Sequence, residues 1–261
     1  MRPGLQEFAA GEGGSGSPWH FHPSQTGTSR RREEVITSRV GSAPRRSADM
    51  QHQYSFDHDL RERMQRHLTG FARHEIEDPE LRRAGVALVV APSSSDGRAC
   101  LLLTRRSSKM RRHAGQYALP GGRLDEAETF KDAALRELDE ELGLSYGPQS
   151  VIGTLDDYKT ESGFCIRPFV VWGGSLAEMK PDPVEVAVVF QIPLGELDDP
   201  AIPKLIPHDD PDRPILGAPI ATTGHVIHAP TAALIYQFRE VAMHGRPTRV
   251  NHFGQPQFAW K

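Results

Sequence analysis

Between residues 84 and 104 two apolar runs flank a polar turn, and this is the clearest strand signal in the chain. Ala84 to Ala91 is continuous and rich in valine, Ser93 to Gly97 supplies turn residues, and Ala99 to Thr104 resumes the run. Two neighbouring strands, central to a sheet, are expected there. A different period precedes them: Leu60, Met64, Leu68 and Phe71 predict an amphipathic helix from Ser55 to about His74, packed on the domain, with Asp78-Pro79 as its breaker. Downstream, Val151 to Lys159 and Gly163 to Trp172 read as strands. Residues 198 to 217, dense in proline and aspartate, read as a loop, and Pro230 to His244 as a closing helix carrying Ala233, Leu234, Tyr236, Phe238 and Val241. Residues 1 to 49 show neither period. Their Gly11–Ser17 run is linker-like, so a disordered or linker-like extension is expected, with a single domain over 50–250 and a short tail at 251–261. Met50 opens the change of character and is a candidate for the true start.

The strongest helical period starts at Asp125. At about 100° per residue, Ala127, Phe130, Ala134, Leu135, Leu138 and Leu142 gather on one side. Asp125 with Glu128 makes a capping-box pair, and Gly143 is placed to end the helix. On the same wheel Glu137, Glu140 and Glu141 share an arc about 100° wide beside the apolar stripe, with Glu141 overlapping it. Like charges at these spacings repel by roughly 0.2–0.5 kcal/mol per pair even on an exposed helix, and no lysine four residues on relieves them. Against a core they need a positive partner, and a hard divalent cation such as Mg²⁺ or Mn²⁺ takes oxygen ligands. A solvated acidic face is the plainer alternative. Arg136 follows Glu128 by two turns, so it can pair with it and hold the adjacent Glu137, or form an ordinary surface ion pair. Gly121 and Gly122, after Pro120, suit either a turn or a close approach of backbone to a metal or phosphate.

Ahead of this segment the charge reverses. Arg105, Arg106, Lys109, Arg111, Arg112 and His113 form a basic loop only a few residues from Gly121. It is either a solvated hairpin or a phosphate-recognition element, for which arginine offers paired donors.

Taken together, Gly122, Glu128 and the run Arg136-Glu137-Leu138-Asp139-Glu140-Glu141-Leu142-Gly143-Leu144 resemble the Nudix box at every position. The resemblance implies an α/β (α+β) Nudix fold, an α/β/α sandwich with a mixed central sheet, and hydrolysis of a nucleoside diphosphate linked to another group. It also implies that Glu137, Glu140 and Glu141 bind the divalent metals, joined by the backbone carbonyl of Gly121, while Glu128 and Arg136 hold the helix in shape. A phosphoanhydride is shielded by its own charge, so its hydrolysis needs neutralisation, positioning and a base. The base candidates are Glu137 and Glu185, the latter standing in the run PDPVEVAVVF.

A second, narrower resemblance lies upstream. Leu103-Thr104, Arg106-Ser107, Met110-Arg111, His113, Gly115-Gln116 and Pro120-Gly121-Gly122 are similar to the stretch before the box in coenzyme A pyrophosphatases of the Nudix superfamily, and GFCIRPFVVW and EVAVVFQIPL follow that subgroup more loosely. It implies cleavage of coenzyme A or acyl-coenzyme A to 3′,5′-ADP and (acyl-)4′-phosphopantetheine, with Arg106, Arg111, Arg112 and His113 as substrate contacts. The box itself keeps the general Nudix spacing. ADP-ribose, a dinucleotide or a nucleoside triphosphate therefore stay open as substrates, as does a binding module without turnover.

Composition narrows the partners. A net charge of −3 over 261 residues offers no global attraction to nucleic acid or anionic membrane. Two cysteines, Cys100 and Cys165, build neither a disulfide framework nor a zinc site, and a reducing cytoplasm is the expected compartment. No apolar run approaches the roughly 18 residues of a membrane span. The expected partner is a small nucleotide-type substrate, with the oligomeric state left open.

Overall fold

A computed structural model describes residues 54–110 and 113–259. Strand β1 (Arg82–Pro92) runs through the middle of the main sheet and is buried from Ala84 to Ala91. Its side chains alternate between two apolar clusters: Val86, Leu88 and Val90 face one, Ala87, Val89 and Ala91 the other. A strand covered on both faces must be apolar at every position, which is why it appears as an unbroken run.

The turn at Ser93–Gly97 returns the chain into β2 (Ala99–Arg106), antiparallel to β1. Strand β2 also pairs with β3 (Tyr117–Ala118), and β4 (Gly121–Arg123) pairs with β1. On the other side β1 pairs in parallel with β7 (Phe164–Trp172), which carries β5 (Val151–Thr154) and β6 (Tyr158–Lys159). Strand β8 (Val186–Pro193) pairs along β2 and completes the mixed sheet. One face is covered by helix α2 (Phe130–Leu142) through Leu135, Leu138 and Leu142. Helices α1 (His58–Thr69) and α3 (Thr231–Phe238) cover the other through Leu60, Met64, Leu68, Leu234 and Phe238. The layering is the α/β/α sandwich that was expected.

Several boundaries differ from the sequence expectation. Helix α2 starts at Phe130, five residues after Asp125, because Thr129 caps it by accepting from the Asp132 N–H. Asp125 and Glu128 instead close a turn, with the Asp125 N–H donating to the Glu128 carboxylate and Ala127 at φ 63°. Helix α1 ends at Gly70, before Asp78-Pro79. The expected strand 151–159 is interrupted by Asp156 and Asp157, both buried: Arg249 and Gln237 hold the first, Arg73 and Arg167 the second. The expected loop 198–217 contains β9 (Lys204–Ile206) and the start of β10 (Ile215–Ile220), which with β11 (His225–His228) forms a separate three-stranded sheet. The closing helix passes into a π-turn at Arg239–Met243. Val250, Phe253 and Gln255 are buried, so the stretch after 250 docks on the domain as far as it is described. Expectations for residues 1–49, Met50, Arg111 and Arg112 fall outside the described residues. Among those described, no helix is long and apolar enough to cross a membrane.

Candidate active site

Three glycines let a strand, a second strand and a helix approach almost backbone to backbone. A Cβ on Gly85 in β1 would lie 2.0 Å from the Phe130 carbonyl oxygen, so only glycine lets the first turn of α2 rest on the sheet there. Gly121, at φ 150°, has no room either, since its Cβ would meet the Gly85 oxygen at 2.4 Å. A Cβ on Gly122 would fall 2.1 Å from Oε1 of Glu137. Backbone of β4 and the carboxylates of α2 are thereby brought together. Gly85 was not singled out from sequence; its one visible signal is a glycine interrupting a valine-rich strand.

Arg136 organises the exposed side of α2. Its Nε and one terminal nitrogen donate to the two carboxylate oxygens of Glu128 at 2.9 and 3.1 Å, and that same terminal nitrogen reaches the Arg123 carbonyl at 3.0 Å. The other terminal nitrogen donates to Glu137 at 3.0 Å and to Glu140 at 2.8 Å. The hydrogen bonds from Arg136 hold the Glu128 carboxyl below the usual carboxylate range, against a partial desolvation. Glu128 in turn is the first cause of the raised pKa of Arg136. The turn that displaced Asp125 as helix cap thus serves to aim Glu128 at this guanidinium.

Glu141 lies on the inner side and is buried, with Oε2 lacking any hydrogen-bond partner among the described residues. Burial pushes its carboxyl up to about 8; Arg106 opposes this, Glu137 and Glu185 add to it, and the Gly121 N–H opposes it. The Arg106 guanidinium stands 3.8 Å from Oε1 of Glu141. Burial also raises Glu137, against Arg136 and with Glu140 and Glu185 adding. Glu185 immediately precedes β8, and its carbonyl accepts from the Ser107 N–H at 2.8 Å, which ties it to the base of the basic loop.

The structure therefore gathers Glu137, Glu141, Glu185, Arg106 and Gly121, and joins Glu128 and Glu140 to them through Arg136. Arg106, expected as a substrate contact, faces Glu141. His113 is exposed at φ 56°, with its ring against the Gln116 side chain at 3.1 Å. Gln116 also donates to the Phe258 carbonyl at 2.7 Å, a contact that the sequence did not announce.

A hard divalent cation fits this donor set. The acidic side chains offer oxygen ligands, and the orphaned Oε2 of Glu141 is a buried acceptor without a hydrogen-bond partner among the described residues. Among the described residues, no three acidic, histidine or cysteine side chains already converge on one point. Glu137 and Glu140 turn toward Arg136 instead.

Comparison with known proteins gives a consistent picture. The NUDIX domain family model matches residues 81–213, about half of the chain. The uncharacterized Nudix hydrolase NudL of Pectobacterium atrosepticum is 38% identical over 111 residues, covering 42% of this chain and 58% of that protein. NudL of Cronobacter sakazakii is 35% identical over 133 residues, covering 48% and 68%. The first of these relatives is thus matched over little more than half of its length. Among solved structures, a MutT/nudix family protein from Enterococcus faecalis is 16% identical, covers 66% of this chain and 67% of its own, and has a TM-score of 0.44.

Proposed function

The chain belongs to the Nudix family, and from that premise we propose that it is a divalent-metal-dependent pyrophosphohydrolase acting on a nucleoside diphosphate derivative. The observation that carries this reading is the pairing of a buried, partly unsatisfied Glu141 with Glu137 against the Gly121-Gly122 backbone. Glu137, Glu140 and Glu141, with the Gly121 carbonyl, would hold Mg²⁺ or Mn²⁺. Such a cation neutralises phosphate charge and lowers the pKa of a bound water.

The chain's own residues supply the rest. Arg136 fixes Glu137 and Glu140 relative to α2, so these carboxylates meet a substrate already oriented. Glu185 is the proton acceptor in this reading. Its carboxylate makes no hydrogen bond or ion pair among the described residues, whereas Glu137 has one oxygen committed to Arg136. Both oxygens of Glu185 are thus available to take the proton of the attacking water. Arg106 keeps a positive charge beside Glu141 and offsets the repulsion among the three acids.

The substrate proposed is coenzyme A or acyl-coenzyme A, split to 3′,5′-ADP and (acyl-)4′-phosphopantetheine. Support comes from the stretch before the box, whose Arg106 and Ser107 touch Glu141 and Glu185 rather than standing apart from the acids. Coenzyme A carries a ribose 3′-phosphate, and the basic loop with Lys109, Arg111, Arg112 and His113 is the dense source of cations in this part of the sequence. The test is a metal-dependent panel of coenzyme A, 3′-dephospho-coenzyme A, ADP-ribose, NADH, diadenosine polyphosphates and nucleoside triphosphates, with products separated by chromatography. Coenzyme A should show the highest kcat/KM. R111A/R112A should raise KM for coenzyme A about tenfold more than for the 3′-dephospho form, as loss of one charge-assisted contact implies. Preference for ADP-ribose or triphosphates would overturn the substrate and leave the reaction class standing.

A further inference from the structure

Beside the first turn of α2, on the side away from Glu141, a cavity of about 730 Å³ opens to solvent. The strand order places it: Glu141 meets Arg106 of β2, whereas the cavity lies over β7 and β5, on the other side of β1. Its floor is apolar, with Val151 and Phe169, and its rim is cationic, with Arg73, Arg83, Lys131 and Arg167.

The four cations are not equivalent. Arg73 and Arg167 are both committed to the buried Asp157 and to Glu75. Glu128, the acid that also lines the cavity, is already met by Arg136. Asp132 in the first turn of α2 accepts from the Thr129 hydroxyl at 2.6 Å. The side chains of Arg83 and Lys131 remain, and neither makes a hydrogen bond or ion pair among the described residues. Two of the lining cations therefore stand above the apolar floor without an acidic partner, and the N-terminal end of α2 adds to the same sign. The volume is that of sites for small organic ligands.

We propose that this cavity binds a nucleoside monophosphate, its phosphate dianion between Arg83 and Lys131 and its base over Phe169 and Val151, at a site separate from the carboxylate cluster. Two uncommitted cations match a phosphomonoester dianion, and the apolar floor suits a planar base better than it suits inorganic phosphate.

The test is calorimetric titration of the full chain with AMP in EDTA, where no turnover occurs. Wild type should bind AMP, adenosine should bind at least about tenfold more weakly, and R83S/K131S should lose about tenfold or more in affinity at unchanged Tm. The single variants R83S and K131S, each with an intermediate loss, cover the case of a double variant that folds poorly. Equal AMP affinity in wild type and variants, equal affinity for adenosine, or no binding at millimolar AMP would overturn the site. The outcome does not depend on which pyrophosphate the enzyme cleaves.

Discussion

The guanidinium of Arg106, at the end of β2, stands 3.8 Å from the buried carboxylate of Glu141 on α2, and this pair links the basic loop to the acidic helix. A charged group so deeply buried is costly without a partner, and at this distance an effective dielectric near 20 leaves an attraction of about 4 kcal/mol before desolvation is counted. Replacing Arg106 with methionine should therefore leave the fold intact but weaken Mn²⁺ binding. Loss of the cation raises the Glu141 carboxyl further above its wild-type position, so direct Mn²⁺ titration by electron paramagnetic resonance should show a weaker site at pH 7 that recovers only at a higher pH than in wild type.

Glu140→Gln and Glu141→Gln should each lower turnover by about two orders of magnitude or more, because each removes a ligand charge. Glu141→Gln should leave Tm nearly unchanged at pH 7, since burial already pushes this carboxyl up to about 8 and keeps it largely protonated there. Near-wild-type hydrolysis by both variants would sink the metal assignment.

Arg136→Lys keeps the charge and loses the fork that holds Glu128 with two nitrogens. The expected result is a kcat lower by roughly 10- to 100-fold, as for loss of a group that orients metal ligands. KM should change little. Steady-state kinetics on the preferred substrate separates the two constants.

Gly85→Ala should destabilise the fold by about 1–3 kcal/mol, because the new methyl would have to push α2 off the sheet at the Phe130 carbonyl. Gly174→Ala is the control, since a Cβ there meets nothing within 4 Å. Denaturant unfolding should place the two variants far apart.

Away from the active site, Asp198 accepts hydrogen bonds from Tyr54 and His244. Burial raises its carboxyl, and the bonds from His244 and Tyr54 outweigh that, leaving it below its ordinary 3.8. A carboxylate depressed in the folded state contributes stability above 3.8 that is lost as pH falls through the folded value. Asp198→Asn should therefore be less stable than wild type at pH 6, and the gap should close below about pH 4. Tm measured across pH 3–6 checks the sign.

Much of this protein was legible along the chain. The buried run from Ala84 to Ala91, the turn at Ser93–Gly97 and the Glu137, Glu140, Glu141 arc depend only on neighbours within a turn or two, and local periodicity carries that information. The spacing of Glu128 to Arg136 likewise announced a pair two turns apart, and the guanidinium joins them. What lay beyond the sequence was every relation set by register and burial. Nothing local tells that Arg106 and Glu141 share one face, that Gly85 underlies Phe130, or that Glu185 adds its charge to that of Glu137 and the buried Glu141. Thr129 displaced Asp125 as the cap because Glu128 was drawn to Arg136, a competition decided by geometry across two turns. Asp156 and Asp157 broke an expected strand because arginines from distant segments could satisfy them inside the protein. The sequence alone determined that Glu137, Glu140 and Glu141 share one arc, since their spacing is a property of one helix. Tertiary structure decided which of them are buried together, because cross-strand pairing and desolvation arise only when distant segments close on one another.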